Sequence, residues 1–292
     1  MENSRMIVFF DIDGTLITED ERQMLPDSTV RSITRMRENG HLAFVNTGRT
    51  LFNATMWPYI KKIPFDGFVC GCGCDILMRE QQPGREIADP HASLRTADAL
   101  CLYDTVPFRR YMNVTVPVEL HPVIVNEARK AHMDLMLEGP DSFYFDFSKP
   151  LSQGAERLIA KDPGHCASVD DHNKCFNKFV TWEDKDSLPG QFCRAVSPWF
   201  ECLDRGNGFR EFPLKGYSKA SGILDVCRIL NAPLDDCIVI GDSANDEAML
   251  KAVRHSVLME NGIDRLKPEV EFVTRSVEND GIEAALQHYG LI

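Results

Sequence analysis

An apolar run that ends in two carboxylates constrains the fold of this chain more than any other feature. Met6-Ile7-Val8-Phe9-Phe10 is rich in β-branched and aromatic side chains, which is typical of a strand buried on both faces of a parallel sheet. Asp11-Ile12-Asp13-Gly14-Thr15 follows at once. Residues two apart in an extended chain point the same way, so we expect Asp11 and Asp13 to face one spot. Two like charges there need a cation or a shared proton.

The rest of the first and last thirds alternates strands with helices. Leu42-Ala43-Phe44-Val45 and Cys237-Ile238-Val239-Ile240 are further buried strands. A helix is predicted from about Ser28, which can cap it, to Asn39. This alternation predicts an α/β protein whose core is a Rossmann-like, doubly wound parallel sheet.

The middle of the chain has a different pattern. Two β-like runs and two helical patterns fall there, at 142–147, 178–182, 123–138 and 188–196. We therefore predict an α+β cap domain at 83–208, inserted into a core formed by 1–82 and 209–292.

Charge and length limit the classes of partner. The 292 residues include 32 Lys and Arg against 44 Asp and Glu, a net charge of −12, which argues against binding to nucleic acid or to an anionic membrane. No run approaches the roughly 20 apolar residues of a membrane span, and the first residues lack the pattern of a signal peptide. We expect a cytoplasmic protein whose ten cysteines are reduced thiols. The oligomeric state stays unknown at this point.

Alternate cysteines form the cluster Cys70-Gly71-Cys72-Gly73-Cys74. Thiolates can bind a soft metal, but zinc pairs are usually spaced CxxC, and no second pair lies nearby to complete a site. A Gly-rich turn after the strand Gly67-Phe68-Val69 is the interpretation that we favour, with any further role of the cluster left open.

Polar side chains end three of the predicted strands and begin one helix. They are Asp11 and Asp13, Thr47, Asp242 with Asn245 and Asp246, and Lys219. Parallel strands bring their carboxyl ends to one edge of a sheet, so these side chains can converge. Carboxylates with an asparagine and few other ligands favour Mg²⁺ over Ca²⁺. A metal and a lysine suit the oxygens of a transferring phosphoryl group, while one carboxylate can attack and another can move a proton.

These motifs resemble those of the haloacid dehalogenase (HAD) superfamily. Four stretches carry the likeness in order along the chain: Asp11-Ile12-Asp13-Gly14-Thr15, Thr47-Gly48-Arg49, Lys219, and Gly241-Asp242-Ser243-Ala244-Asn245-Asp246. The inserted domain resembles the large α/β cap of the Cof-like sugar-phosphatase branch, and Gly281-Ile282 is similar to a feature of that branch.

The resemblance implies roles for the acidic residues. It makes Asp11 the nucleophile and a metal ligand. Asp13 becomes the general acid and base, and its backbone carbonyl binds Mg²⁺. Asp242 becomes a further metal ligand, supported by Asn245 and Asp246.

It also implies how a phosphate ester is held. Thr47 and Lys219 hold the phosphoryl group. Lys215 is the alternative candidate for the lysine of the third motif, but Lys219 is preferred because it begins a helix, as the lysine of that motif does. The residues expected near the substrate are Gly48, Arg49, Cys72 and Gly73. The last two stand where Cof-like relatives usually carry Asn-Gly, and a thiol is a poorer hydrogen-bonding group than an amide.

The expected function is that of a Mg²⁺-dependent phosphatase. It would hydrolyse a small phosphorylated metabolite, with a sugar phosphate as the first candidate, through an aspartyl-phosphate on Asp11. Two alternatives remain open: a phosphomutase on the same scaffold, and a non-catalytic binding or regulatory protein that kept the fold.

Overall fold

The computed structural model describes residues 5–80, 100–103 and 106–292. Its described residues fall into two compact units, the first within Met1–Arg49, Asn53–Met112 and Ser218–Ile292, and the second within Thr50–Phe52 and Asn113–Tyr217. The predicted boundary between residues 82 and 83 lies outside the described residues. The division into a catalytic core and a cap at 83–208 stays a prediction.

The described residues contain the following strands and helices. The strands are β1 (Ile7–Phe10), β2 (Leu42–Asn46), β3 (Gly67–Cys70), β4 (Asp75–Arg79), β5 (Leu100–Tyr103), β6 (Val106–Asn113), β7 (Asp134–Glu138), β8 (Phe143–Phe145), β9 (Cys166–Ser168), β10 (Lys178–Trp182), β11 (Leu203–Asp204), β12 (Phe209–Phe212), β13 (Cys237–Gly241), β14 (His255–Leu258) and β15 (Phe272–Val273). The helices are α1 (Asp27–Glu38), α2 (Leu51–Thr55), α3 (His121–Lys130), α4 (Gln153–Lys161), α5 (Pro189–Val196), α6 (Lys219–Leu230), α7 (Glu247–Ala252) and α8 (Gly281–His288).

A nine-stranded sheet forms the centre of the first unit. Its order is β15-β14-β13-β1-β2-β3-β4-β6-β5, and the strands from β15 to β3 run parallel. Phe9 lies opposite Val239 on one side and Phe44 on the other, so β1, β13 and β2 end at the same edge. The α/β fold with a parallel sheet core, predicted from the strand–helix alternation, is confirmed.

Strand β6 pairs with β5 and β4 in the nine-stranded sheet. The start of helix α1 differs from the sequence prediction. Helix α1 begins at Asp27 after Pro26, and the Ser28 hydroxyl donates to Asp280 at 2.5 Å. The predicted cap at Ser28 is therefore wrong, because the helix starts earlier and Ser28 lies within its first turn.

The second unit contains a six-stranded sheet in the order β11-β12-β10-β7-β8-β9. Every pair in it is antiparallel except β8 with β9. One face carries Leu137, Phe179 and Phe212, which pack with Phe192 of α5 in an aromatic-rich core. A mainly antiparallel sheet combined with helices is the α+β arrangement that the pattern of this segment predicted.

One predicted helix in this unit is too long. The pattern at 123–138 indicated a single helix, but α3 ends at Lys130 and His132 adopts φ +54°. The chain then continues as β7, which pairs with β10 and β8. The apolar residues of β7 also fit a helical periodicity, but pairing with a strand on each side makes this segment a strand.

The cysteines are not all reduced as predicted. Cys193 and Cys202 form a disulfide with a Cα–Cα distance of 6.0 Å, within the range that this bond requires. Cys70, Cys72 and Cys74 are buried, and the predicted turn is present at Gly71–Gly73. Among the described residues, no helix combines the length and the apolar character needed to cross a membrane.

Candidate active site

The carboxyl end of β1 places Asp11 beside a buried lysine. Asp11 is 3% exposed, and Lys219 Nζ donates to its Oδ1 at 2.6 Å and to Asp246 Oδ1 at 2.6 Å. Ser218 and Ser221 form a capping box that starts α6 at Lys219. The rival Lys215 is exposed, so Lys219 is the lysine that reaches the carboxylates.

The carboxyl end of β13 brings Asp242 to the same place. Thr15 Oγ1 donates to Asp242 Oδ1 at 3.0 Å. Gly14, at φ +76°, lies so close that a Cβ there would be 2.3 Å from Asp242 Oδ2. Both the backbone angle and the space therefore require glycine at position 14. Oxygens of Asp11, Asp242 and Asp246 lie within 4.8 Å of one another, and we call these three residues the carboxylate cluster.

The loop after β13 is held by one of its own carboxylates. Asp246 Oδ2 accepts the backbone N–H groups of Asp242 and Ser243, each at 3.0 Å. Asn245 is half-buried, and its Oδ1 accepts the Ser243 hydroxyl at 2.6 Å. The structure thus brings Asp246 into the carboxylate cluster but holds Asn245 within the loop.

Burial makes the carboxylate cluster electrostatically unfavourable without a further cation. Burial, opposed in part by Lys219, raises the pKa of Asp11 to about 7. Burial and the charges of Asp11 and Asp246 raise the pKa of Asp242 to about 9. Burial disfavours the charged Lys219, but Asp11 and Asp246 outweigh this effect and raise its pKa. One lysine does not balance three carboxylates, so their oxygens suit a hard divalent cation.

Asp13 forms an ion pair with an arginine and is not part of the carboxylate cluster. Arg49 Nε and Nη2 donate to the two Asp13 oxygens at 2.8 and 2.5 Å, a two-pronged ion pair that fixes the carboxylate plane. Arg49 Nη1 also donates to the Tyr59 hydroxyl at 3.2 Å, and its guanidinium lies 5.8 Å from the centre of the Trp57 ring. Burial raises the pKa of Tyr59 to about 12, so its hydroxyl stays neutral.

The loop after β2 contacts the cysteine turn. Thr47 is buried, and its Oγ1 accepts the Arg49 N–H at 3.1 Å while its carbonyl accepts the Cys72 N–H at 3.1 Å. Gly48 lies between Thr47 and Arg49 in this loop. Cys72 adopts φ +57°, a left-handed conformation that asparagine tolerates better than cysteine. A Cβ at Gly73 would lie 2.3 Å from the Ser218 carbonyl oxygen, so the turn lies against the start of α6.

Several residues of the site were not predicted. Thr15 belongs to the first motif but was given no role. Asn46 ends β2, and its Nδ2 donates to the Lys219 carbonyl at 3.1 Å. Asn261 follows β14 and donates to the Gly14 carbonyl at 2.8 Å. Asn261 lies three residues after the end of a parallel strand, and this position near the carboxyl edge of the sheet was the available signal for it.

Among the described residues, the carboxylate cluster is the one group of three or more His, Cys, Asp or Glu side chains that could hold an ion together. Cys70, Cys72 and Cys74 are not among these residues. Burial raises the pKa of the Cys70 thiol, which keeps it protonated.

Comparison with known proteins assigns the chain to a family. The family model described as haloacid dehalogenase-like hydrolase matches residues 8–100 and 110–286. YkrA of Bacillus subtilis, provisionally assigned as a phosphatase, is 25% identical over 98% of both chains. The 5-amino-6-(5-phospho-D-ribitylamino)uracil phosphatase YitU of B. subtilis is 22% identical over 99% of both. The solved HAD subclass IIB sugar phosphatase BT4131 superposes with a TM-score of 0.71 at 19% identity, covering 98% of this chain and 100% of its own.

Proposed function

The chain belongs to the haloacid dehalogenase-like hydrolase family, and from that premise we propose that it is a Mg²⁺-dependent phosphatase of small phosphorylated metabolites. The observation that carries the proposal is the buried carboxylate cluster with Lys219 on Asp11. A bound Mg²⁺ would be held by Asp11, Asp242, Asp246 and the Asp13 carbonyl, and would supply positive charge to the oxygens of the phosphoryl group.

We assign the nucleophile to Asp11. Its carboxylate attacks phosphorus, the bond between phosphorus and the ester oxygen breaks, and an aspartyl-phosphate forms on Asp11. Lys219 lies 2.6 Å from Asp11 and can also neutralise phosphoryl oxygens as they approach. Water then attacks the same phosphorus, which releases inorganic phosphate and restores the Asp11 carboxylate.

We assign proton transfer to Asp13. Its carboxyl group gives a proton to the departing ester oxygen and later takes one from the attacking water. The side chain is one-third exposed, is held by Arg49 and is not one of the three carboxylates that would hold the metal. This difference supports two distinct roles for the two acids of the first motif.

We assign the remaining predicted residues to the substrate and to the groups that orient it. The Thr47 hydroxyl and the backbone around Gly48 are assigned to the phosphoryl group. We assign to Arg49 the orientation of Asp13, so that Arg49 acts on the substrate indirectly, through that carboxyl group. The Cys72-Gly73 turn contacts the same loop through the Thr47 carbonyl, and we assign it to the leaving group. Asn245 supports the loop that carries Asp246.

A sugar phosphate is the first candidate for the substrate. BT4131 is a sugar phosphatase, and the name of YitU specifies a phosphate on a ribityl group. Both compounds are phosphate monoesters of a hydroxylated carbon chain. We propose the same class for this chain.

Release of inorganic phosphate from a panel of phosphate esters tests the proposal. We expect wild-type protein and the exposed control Asp264→Asn to hydrolyse at least one sugar phosphate with Mg²⁺, and Asp11→Asn to be folded but inactive. Wild-type turnover by Asp11→Asn would refute the assigned nucleophile. Activity only with an added bisphosphate would indicate a mutase, and Mg²⁺ binding without any hydrolysis would indicate a non-catalytic protein.

A further inference from the structure

We infer that Asn261 is a positioning residue of the metal site. This inference rests on the proposed function, because it concerns the cation that the carboxylate cluster would hold. Asn261 lies in the segment after β14, outside all four motifs of the site. Its side chain connects the loop after β1 to the segment before α8.

Both ends of the Asn261 amide are hydrogen-bonded. Nδ2 donates to the Gly14 carbonyl at 2.8 Å, and Oδ1 accepts the Val277 N–H at 3.2 Å. Because a carbonyl can only accept and a backbone N–H can only donate, these partners fix which end of the amide faces each of them. Aspartate and leucine have similar shapes, but neither can make both contacts.

The residue that Asn261 holds is in contact with a proposed metal ligand. Gly14 lies against the Asp242 carboxylate so closely that a Cβ would be 2.3 Å from Oδ2. The next residue, Thr15, donates to Asp242 Oδ1 at 3.0 Å. The Gly14 carbonyl therefore belongs to the same short segment that sets the position of the Asp242 oxygens.

The segment that follows Asn261 contacts Asp242 from its backbone side. The Ile263 N–H donates to the Asp242 carbonyl at 2.9 Å. A Cβ at Gly262 would lie 2.7 Å from that carbonyl oxygen, so only glycine fits this approach. Residues 261–263 thus hold Asp242 through its carbonyl and, through Gly14 and Thr15, support its carboxylate. A third parallel strand end contributes to the geometry of the site, although it supplies no ligand.

Loss of the Asn261 amide is expected to weaken metal binding more than it weakens the fold. Partners that orient metal ligands typically change metal affinity by about 10- to 100-fold when they are replaced. Asn261→Asp removes the donor to Gly14 and adds a negative charge near the carboxylate cluster. A purely electrostatic effect would then tighten cation binding, whereas loss of positioning weakens it. Asn279→Asp is the matched control. This substitution adds the same negative charge, but the Asn279 side chain donates to the Ser276 hydroxyl and not to Gly14.

Calorimetric titration of the metal-free full-length proteins with Mg²⁺ tests this inference. We expect the dissociation constant to rise about tenfold in Asn261→Asp and to stay within about twofold in Asn279→Asp. Asn261→Ser, which adds no charge and leaves room for water, is the second variant and should also weaken binding. Circular dichroism and thermal unfolding of each metal-free variant establish that it is folded.

The outcomes separate the inference from the proposed function. Wild-type Mg²⁺ affinity in both folded Asn261 variants, or tighter binding by Asn261→Asp, would overturn the positioning role while leaving the phosphatase intact. Absence of Mg²⁺ binding by the wild-type protein would overturn the metal site itself, and the inference with it.

Discussion

Each unit of the molecule contains a buried lysine between two carboxylates. In the first unit Lys219 contacts Asp11 and Asp246, and its side chain is fully buried. In the second unit Lys178 contacts Glu138 at 3.1 Å and also Glu211, and its side chain is 4% exposed. The residue types and the burial are therefore nearly the same in the two places.

The two clusters differ in their balance of charge. Glu211 has a second cation, Arg205, 3.8 Å away, so two acids face two bases. In the first unit Asp242 is a third carboxylate, and burial raises its pKa to about 9. The balanced cluster joins β7, β10 and β12, the strands that carry Glu138, Lys178 and Glu211. The first cluster has one carboxylate more than the second, which makes it the candidate metal site, whereas the second is a structural ion pair.

Replacing each lysine in turn gives the largest expected difference between the two clusters. We expect Lys219→Met to lower kcat by about 10²- to 10³-fold, because it removes positive charge from the phosphoryl site. Lys178→Met should keep kcat within a few-fold, as measured on the folded fraction by phosphate release. A comparable loss of kcat in folded Lys178→Met would show that the second cluster also serves the reaction.

Lys178→Met should lower the free energy of unfolding of the second unit. This substitution removes the cation that the buried Glu138 and Glu211 share, and removing one partner of a buried ion pair costs about 3–5 kcal/mol. Urea unfolding followed through tryptophan fluorescence measures the loss, since Trp182 and Trp199 both lie in this unit. Mg²⁺ should restore stability to Lys219→Met but not to Lys178→Met. Equal rescue of both variants would contradict the assigned difference.

The pH dependence of stability provides a smaller test with opposite signs in the two units. In metal-free protein the pKa values of Asp11 and Asp242 are raised from 3.8 to about 7 and about 9. The folded state then binds more protons than the unfolded state, so stability falls as pH rises above about 4, by at most about 1.4 kcal/mol per pH unit for each extra proton.

Asp146 in the second unit should behave in the opposite way. Burial raises the pKa of Asp146, but hydrogen bonds from Arg129 and Ser148 outweigh it and lower the pKa. Its contribution is present above pH 3.8 and is lost as pH falls below that value. Melting temperature against pH measures both effects. Asp242→Asn should flatten the alkaline decline, and Asp146→Asn should reduce the acid loss; a metal-free wild type that gains stability from pH 5 to 9 would contradict the first sign.

The sequence predicted the parts of the site that follow directly from strand ends. Asp11 and Asp242 lie after apolar runs, and parallel strands necessarily bring such positions together. Lys219 could be preferred to Lys215 because it begins a helix. The HAD family, inferred from these motifs, and the α/β fold, inferred from the alternation of strands and helices, are confirmed.

Contacts between distant residues could not be read from the sequence. Arg49 and Asp13 are 36 positions apart, and their pairing depends on the register of β1 with β2. The same holds for Asn261 and Gly14, which are 247 positions apart. The prediction of a single helix at 123–138 was wrong for another reason: β7 is a strand because β8 and β10 pair with it, and this pairing cannot be read from the segment itself.

Mg²⁺ binding by Asp242→Asn tests the central claim most directly. Asp242 is the carboxylate that makes the first cluster unbalanced, and Asp146→Asn is the matched control from the second unit. Calorimetry should give one Mg²⁺ per molecule for the wild type and for Asp146→Asn, and no measurable binding for folded Asp242→Asn. Binding of Mg²⁺ by Asp242→Asn with wild-type affinity and stoichiometry would contradict the account.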